Sequence, residues 1–186
     1  MAGTRQEHDP GGKVRRAISR DVKSSALFGG PNKCYRYQLK RTWDETKPHA
    51  MFIMMNPSTA DLKVNDPSVA KCEQFARTWR AYGGILVANT FAYRHTYQKR
   101  LIEDVSYLIG PDNDRHIIEM TKDAGIVVFA YGKPRRKALR ARGKELALLL
   151  VEKAHINPHA LGFCKDGTPK HPLYLKKDSR PVPWKL

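Results

Sequence analysis

The fold class of this chain is decided by residues 51–67, MFIMMNPSTADLKVNDP. The segment opens with five apolar residues in a row, which is typical of a strand buried on both faces of a parallel sheet. Pro57 ends the strand because proline lacks a backbone N–H and has a fixed φ. Ligands of open α/β sheets bind beyond the carboxyl ends of the strands. The polar turn is therefore a candidate site, unless Asn56 or Ser58 merely caps the structure that follows.

Apolar strands and amphipathic helices alternate along the rest of the chain. We predict helices at residues 67–82, with Asp66 as N-cap, at 112–122 and at 133–154, and further strands at 85–88, 126–131 and 160–164. Such alternation implies parallel strands joined by right-handed crossovers. The prediction is a three-layer α/β/α domain with a central, mainly parallel four-stranded sheet. An N-terminal β-hairpin arm is added by residues 35–43, with residues 51–55 as the partner strand.

Length and charge limit the organisation and the partners. A chain of 186 residues suggests one domain, and we expect a basic flexible arm at residues 1–26 before a single domain at 27–186. Lys and Arg total 34 against 18 Asp and Glu, giving a formal net charge of +16. This excess favours polyanions, so the expected partner is DNA, with RNA or nucleotides as the alternatives. The alternative is a basic surface that binds nothing.

Several classes of protein are disfavoured by the sequence. It contains no apolar run long enough to span a bilayer, and its N-terminal region does not have the pattern of a secretory signal. The three cysteines are far apart and form no CxxC pair, which argues against zinc and iron–sulfur sites. We therefore expect a cytoplasmic monomer with free thiols, no cofactor, no metal and no membrane contact.

Three polar residues follow predicted strands and suggest a shared pocket. Asn56 and Asn89 each end an apolar strand, and His171 follows the last short strand. The carboxyl ends of parallel strands meet at one edge of a sheet, so these side chains are expected to converge. Asparagine both donates and accepts hydrogen bonds, and histidine donates to developing negative charge or transfers protons. Each of the three residues also has a purely structural interpretation, such as a turn cap.

The same motifs resemble those of the α/β uracil-DNA glycosylase superfamily. That superfamily has Gly-x-[Asp/Asn]-Pro after its first core strand, an Asn after its second, and a late His-Pro; this chain has MMNPS, LVAN and HPL in that order. Met54 stands in place of the motif's glycine. NPSTAD and KDGTPKHPLYL also resemble a compact bacterial and phage family of unknown function, from about residue 35 onward.

The glycosylase resemblance implies roles for matching residues. Asn56 and His171 would be catalytic: Asn56 would orient the hydrolytic water or stabilise the sugar cation, and His171 would stabilise the departing base. Asn89 would hydrogen-bond a flipped base, as in other enzymes that act on extruded bases. The small side chain of Ser58 implies relaxed base choice. The full substrate-binding set is Pro57, Ser58, Asn89, Phe91 as a stacking ring, and Leu173 as a wedge, with Phe91 and Leu173 alternatively in the core.

Basic and acidic clusters complete the candidate residues. Nucleic-acid contacts are expected from Arg94, Lys133, Arg135, Arg136 and Lys170, with a solvated basic face as the alternative. Asp61 and Asp66 are a carboxylate pair for general-base work or a metal, although a helix cap is the simpler interpretation of Asp66. The cluster at residues 112–114 is typical of a helix start.

The expected function is hydrolytic removal of a deaminated or modified, uracil-type base from DNA. Two alternatives stay open. The first is a non-catalytic nucleic-acid-binding module with a base-recognition pocket. The second is a hydrolase or transferase that acts on free nucleosides or nucleotides.

Overall fold

The computed structural model describes residues 14–97 and 104–186. The strands are β1 (Arg16–Ala17), β2 (Lys23–Gly29), β3 (Tyr35–Thr42), β4 (His49–Met54), β5 (Val64–Asn65), β6 (Gly84–Asn89), β7 (Ala124–Phe129), β8 (Pro158–Ala160) and β9 (Val182–Pro183). The helices are α1 (Pro67–Trp79), α2 (Val105–Ile109), α3 (Asn113–Thr121) and α4 (Arg142–Ala154), with short 3-10 turns at Pro31–Lys33, Lys137–Leu139 and Pro172–Tyr174.

The main sheet has seven strands in the order β2-β3-β6-β4-β7-β8-β9. Strands β6, β4, β7 and β8 run parallel to one another, whereas β2, β3 and β9 pair antiparallel. Strands β1 and β5 form a separate antiparallel pair. The predicted central four-stranded, mainly parallel sheet in a three-layer α/β/α fold is therefore wrong. Its sequence basis missed the antiparallel strands that cover both edges, one of which, β9, is only two residues long.

The hairpin that precedes β4 also differs from the prediction. Strand β3 pairs with β2 on one side and with β6 on the other, so residues 51–55 are not its partner. The physical reason is that both edges of β4 are already hydrogen-bonded, to β6 and to β7. Of the arm predicted at residues 1–26, residues 14–26 contribute β1 and the start of β2, and residues 1–13 lie outside the described residues.

Alternate side chains of the central strands fill two apolar clusters on opposite faces of the sheet. Phe52 faces α1, where it joins Phe75 and the other buried residues of that helix. Met51 and Ile53 face the other way, towards α3 and α4. Strand β4 is buried along its whole length, as its uninterrupted apolar sequence predicts.

Helix α1 begins as its sequence predicts. The side chain of Asp66 accepts a hydrogen bond from the backbone N–H of Val69 at 2.9 Å, and Pro67 occupies the first helical position. Proline is favoured there because its missing N–H would have no intrahelical partner anyway. The predicted N-cap is confirmed, and it fixes the end of α1 that lies beside the strand ends described next.

The chain leaves β4 and β7 towards opposite faces of the sheet. After β4 it enters α1 on one face, and after β7 it reaches α4 on the other. Neighbouring parallel strands whose connections diverge in this way leave a crevice at their carboxyl ends, where α/β proteins bind ligands. Within the described part of the chain, no helix is both long enough and apolar enough to cross a membrane.

Candidate functional site

A cavity of about 740 Å³ opens at the divergence of β4 and β7. Its size is in the range that holds a small organic ligand such as a nucleotide. The residues that β4 and β7 deliver to it are Met54, Met55 and Asn56 from one strand end and Tyr131, Gly132, Lys133 and Arg135 from the other. The start of α1, the loop up to residue 97 and the turn at residues 171–174 complete the wall.

Asn56 presents an acceptor to this cavity. Its carboxamide nitrogen donates to the carbonyl oxygens of His95 at 2.5 Å and of Pro57 at 3.2 Å. Both amide hydrogens are thus used, and the remaining capacity of the group is that of Oδ1, an acceptor. A carboxylate at this position would set a negative oxygen against two carbonyl oxygens. The local geometry therefore requires asparagine rather than aspartate.

Two loops are joined to form one wall of the cavity. The backbone N–H of His95 donates to the carbonyl oxygen of Pro57 at 2.8 Å. The hydroxyl groups of Ser58 and Thr96 are hydrogen-bonded at 2.6 Å. Together with the bonds of Asn56, these contacts fix the loop after β4 to the loop after β6. The wall therefore carries hydroxyl, imidazole and amide groups on a braced backbone.

His171 is set as a neutral hydrogen-bond donor. Its Nδ1 accepts the backbone N–H of Leu173 at 3.4 Å, which leaves the proton of a neutral ring on Nε2. Burial lowers the pKa of His171 below its usual 6.5, and the nearby carboxylate of Asp66 acts in the opposite direction. The ring is therefore neutral at pH 7. Gly132 has a φ of +68°, and a Cβ there would lie 3.0 Å from the Cβ of His171, so glycine allows this close approach.

The two carboxylates near the cavity accept hydrogen bonds from backbone N–H groups. Asp66 lines the cavity but caps α1. Asp61 accepts the backbone N–H groups of Lys63 and Val64. Within residues 14–97 and 104–186, no group of three or more His, Cys, Asp or Glu side chains is arranged to hold a metal ion. The carboxylate pair thus has a structural role in the loop that follows β4.

Tyr131 forms the part of the cavity that lies against α4. Its ring packs on Gly143, where an added Cβ would lie only 2.2 Å from the Cζ of Tyr131. Burial is the main cause that raises the pKa of Tyr131 to about 12, with Asp166 adding to the shift. The phenol therefore stays protonated at neutral pH and keeps its O–H donor.

The basic run after β7 lies in a loop for most of its length. Helix α4 begins at Arg142 rather than at residue 133, because residues 133–141 form a loop and a 3-10 turn. The side chain of Arg140 donates to the carbonyl oxygen of Pro134 at 3.1 Å, which holds this loop. Lys133 pairs with Asp166 at 2.5 Å. Lys133 and Arg135 line the cavity, whereas Arg136 and Lys170 are not among its described lining residues.

Asn89, Phe91 and Arg94 are held apart from the cavity. Asn89 is 1% exposed, and its Oδ1 accepts from the guanidinium of Arg36 at 3.0 Å. Phe91 is fully buried in the apolar cluster that faces α3 and α4. Arg94 is buried, donates to the carbonyl oxygen of Lys33, and stacks over the ring of Phe28. The structure therefore brings Asn56 and His171 together with Ser58 and Leu173, but not with Asn89 or Phe91.

Arg36 supports the loop after β4 from inside the protein, and the sequence analysis did not identify it. The side chain is 1% exposed and donates to the carbonyl oxygen of Ala60 at 2.9 Å and to Asn89 at 3.0 Å. Burial lowers the pKa of Arg36 to about 10. Its Nε and the Nδ2 of Asn89 are buried without a hydrogen-bond partner among the described residues.

Arg41 has the same supporting role further along the loop. It is fully buried and donates to the carbonyl oxygens of Asp61 and Val64. Its Nε also donates to Asn65 at 3.0 Å. Burial lowers the pKa of this guanidinium to about 10 as well.

A bulge in β3 explains why the strand pattern did not predict that Arg36 and Arg41 face the same loop. The pairing of β2 and β3 shifts register between Leu27 and Phe28, which leaves Tyr37 as an extra residue. Without the bulge, Arg36 and Arg41 would point to opposite faces because they are an odd number of residues apart. With it, both reach the same loop. The available signal was a pair of arginines within a predicted strand.

These features define an α/β protein with a ligand crevice at the carboxyl ends of the parallel strands in a mixed sheet. The chain belongs to the DUF1643 family, whose description is "Protein of unknown function" and whose model matches residues 36–173. This agrees with the expected compact family of unknown function. Comparisons with curated proteins and with solved structures give no match.

Proposed function

We propose that the chain hydrolyses the N-glycosidic bond of a deaminated or modified base in DNA. The observation that carries the proposal is the pairing of a neutral imidazole donor with a fixed carboxamide acceptor in one cavity. The order of the motifs, which resembles the α/β uracil-DNA glycosylase superfamily, and the net charge of +16 support it. The extruded nucleotide would enter the cavity, as in other enzymes that act on single bases.

In the proposed reaction, the bond between C1′ and the base nitrogen breaks first, and its electron pair stays on the base. The Nε2–H of His171 donates to the base oxygen on which the negative charge develops. Preorganised donors of this kind stabilise the transition state most in sites that exclude water. A neutral ring donates without giving up its proton.

The attacking water is oriented by Asn56. Its Oδ1 accepts one hydrogen of the water, whose oxygen adds to C1′ from the face opposite the departing base. An amide is not a base, so one proton of the adding water is released to solvent, and the base anion takes up a proton from solvent. The products are the free neutral base and a sugar with a hydroxyl group at C1′. No metal or cofactor takes part in this scheme.

The residues that contact the base edge in this proposal differ from those that the resemblance implies. Asn89 is bonded to Arg36, so the base edge would meet the hydroxyl pair of Ser58 and Thr96 instead. A hydroxyl group rotates to donate or to accept, and it therefore tolerates different base edges. Relaxed choice among deaminated bases is the expected consequence.

The direct test is base release from oligonucleotides that carry uracil or hypoxanthine. After incubation, hot alkali cuts the strand wherever a base has been removed. Wild-type protein should produce scission, and Asn56→Ala and His171→Gln should not. Asn157→Ala, at an exposed position outside the cavity, is the matched control. Absence of scission with stoichiometric wild-type protein across a panel of damaged bases would refute hydrolysis.

A base-binding module without turnover is the second candidate. It is favoured by one observation: the two groups assigned to the reaction are an amide and a neutral imidazole, and neither is a strong base. Such a module would bind damaged oligonucleotides with a steep salt dependence. The Asn56→Ala variant would then change affinity little, because no chemical step depends on the acceptor.

A further inference from the structure

An exposed aromatic ring stands at the mouth of the cavity. Tyr174 is 84% exposed, the highest value for a large apolar side chain among the described residues. It lines the cavity, and its ring centroid lies 5.9 Å from that of His171. Leu173, 44% exposed, is beside it. Two exposed apolar side chains in sequence thus stand beside the cavity and are available to contact a ligand.

The backbone beneath Tyr174 is fixed. Pro172 is buried, and Leu175 packs against the apolar cluster around α1. The N–H of Tyr174 donates to the carbonyl oxygen of His171, and that of Leu175 donates to Pro172. The chain is thus held on both sides of Tyr174, at Pro172 and at Leu175, and the exposed ring stands on a hydrogen-bonded 3-10 turn.

Cations share the cavity with this ring. Lys133 and Arg135 are among the residues that line it. Three more exposed cations follow Tyr174 closely in the chain, namely Lys176, Lys177 and Arg180. An aromatic ring among such cations is the arrangement with which proteins hold single-stranded nucleic acid, because bases stack on rings while the cations follow the phosphates.

We infer that Tyr174 stacks on the nucleobase next to the one in the cavity, on the same DNA strand. The inference rests on the proposed function, since it assumes that a nucleotide occupies the cavity. The substrate class is therefore a polynucleotide strand, and a free mononucleotide would not use Tyr174.

The test measures binding separately from base release. The probe is a short single-stranded DNA with 2′-fluorinated deoxyuridine, which resists hydrolysis, next to 2-aminopurine, whose fluorescence falls when it stacks. Tyr174→Ala should weaken binding of this probe by about 5- to 150-fold and abolish the fluorescence change. Tyr174→Phe should retain both, because the ring and not the hydroxyl group stacks. Affinity for the uracil mononucleotide should be the same in all variants.

Leu148→Ala is the matched control, since Leu148 is half-exposed on α4 and does not line the cavity. Wild-type affinity and an unchanged fluorescence signal in Tyr174→Ala would overturn the inference, even if the protein releases bases. Failure of the wild-type protein to bind the probe would also overturn it. Binding that depends on Tyr174, in a protein that releases no base from cleavable DNA, would refute hydrolysis and retain the stacking contact.

Discussion

Asn56 and Asn89 follow neighbouring parallel strands, yet only Asn56 faces the cavity. Asn89 pairs in register with Met54, two residues before Asn56, and is nevertheless bonded to a buried arginine. The difference arises from the strand on the other side of each residue. Strand β6 is flanked by the antiparallel β3, which brings Arg36 over Asn89. Strand β4 is flanked by β7, whose chain departs to the opposite face and leaves space.

The comparison teaches that a polar residue at a strand end marks a site only where the chain beyond the strand leaves that end open. The chain after Asn89 stays hydrogen-bonded to the end of β4, because the N–H groups of Thr90 and Phe91 donate to Met54 and Met55. That pairing closes the end of β6. The same residue type thus lines the cavity at position 56 and stabilises the interior at position 89.

The largest expected effect concerns catalysis by Asn56. If the proposed function is correct, Asn56→Ala should lower the rate of base release by about 100-fold or more, as loss of one preorganised group does in other enzymes. The free energy of unfolding should fall by only about 1 kcal/mol for each of the two hydrogen bonds that the variant loses. Single-turnover kinetics and denaturant unfolding measure the two quantities. A variant with wild-type turnover would remove Asn56 from the mechanism.

Asn89→Ala should show the opposite pattern. The guanidinium of Arg36 loses its acceptor in a buried site, which should cost about 1.5–3 kcal/mol of folding free energy. Base release per folded molecule should be unchanged because Asn89 does not line the cavity. Urea unfolding and active-site titration provide the measurements, with Asn157→Ala as an exposed control. Loss of turnover at wild-type stability would show that Asn89 moves into the cavity.

The pKa of His171 predicts how stability changes with pH. Because burial lowers the pKa in the folded state, the unfolded chain binds the proton first as the pH falls below about 6.5. Stability is therefore full above pH 6.5 and decreases below it, by at most about 1.4 kcal/mol per pH unit from this group. His171→Gln should have a shallower acid slope in urea titrations. Asn157→Ala, a substitution at an exposed position that removes no titratable group, should keep the wild-type slope.

The smallest effect is expected from Asp66→Asn. Asparagine caps a helix about as well as aspartate, so the capping contribution to the free energy of unfolding should change by less than about 0.5 kcal/mol at pH 7. Removal of the carboxylate should lower the pKa of His171 further, since Asp66 acts to raise it. NMR titration of the His171 ring resolves the shift. An unchanged or higher pKa would mean that the two groups are not electrostatically coupled.

The sequence predicted the local elements better than their assembly. The buried strand β4 and helix α1 with its Asp66 cap follow from apolar runs and capping chemistry, which are local properties. The sheet order does not, because β2 and β9 are held by pairing with distant strands rather than by a pattern of their own. The start of α4 at Arg142 was also missed, since a basic run has no apolar periodicity to mark a helix end.

The candidate site was predicted in part for the same reason. Asn56 and His171 were identified because each follows a strand or a proline turn that the sequence makes evident. Thr96 was missed as a wall residue, since its place depends on the bonds between two loops. Arg36 was missed because a single bulge reverses the face to which it points. Long-range register is not encoded in the strand pattern alone.

The contact of Tyr131 with Gly143 implies that a residue outside the cavity lining determines how large a ligand the cavity can hold. Gly143 belongs to α4 and does not line the cavity, yet its lack of a side chain is what allows the aromatic ring to sit back against the helix. A methyl group there would displace the ring into the cleft and reduce its volume, while every group proposed to act on the ligand kept its chemistry. Relatives with alanine at this point in the helix would then accept smaller molecules with the same reactive groups.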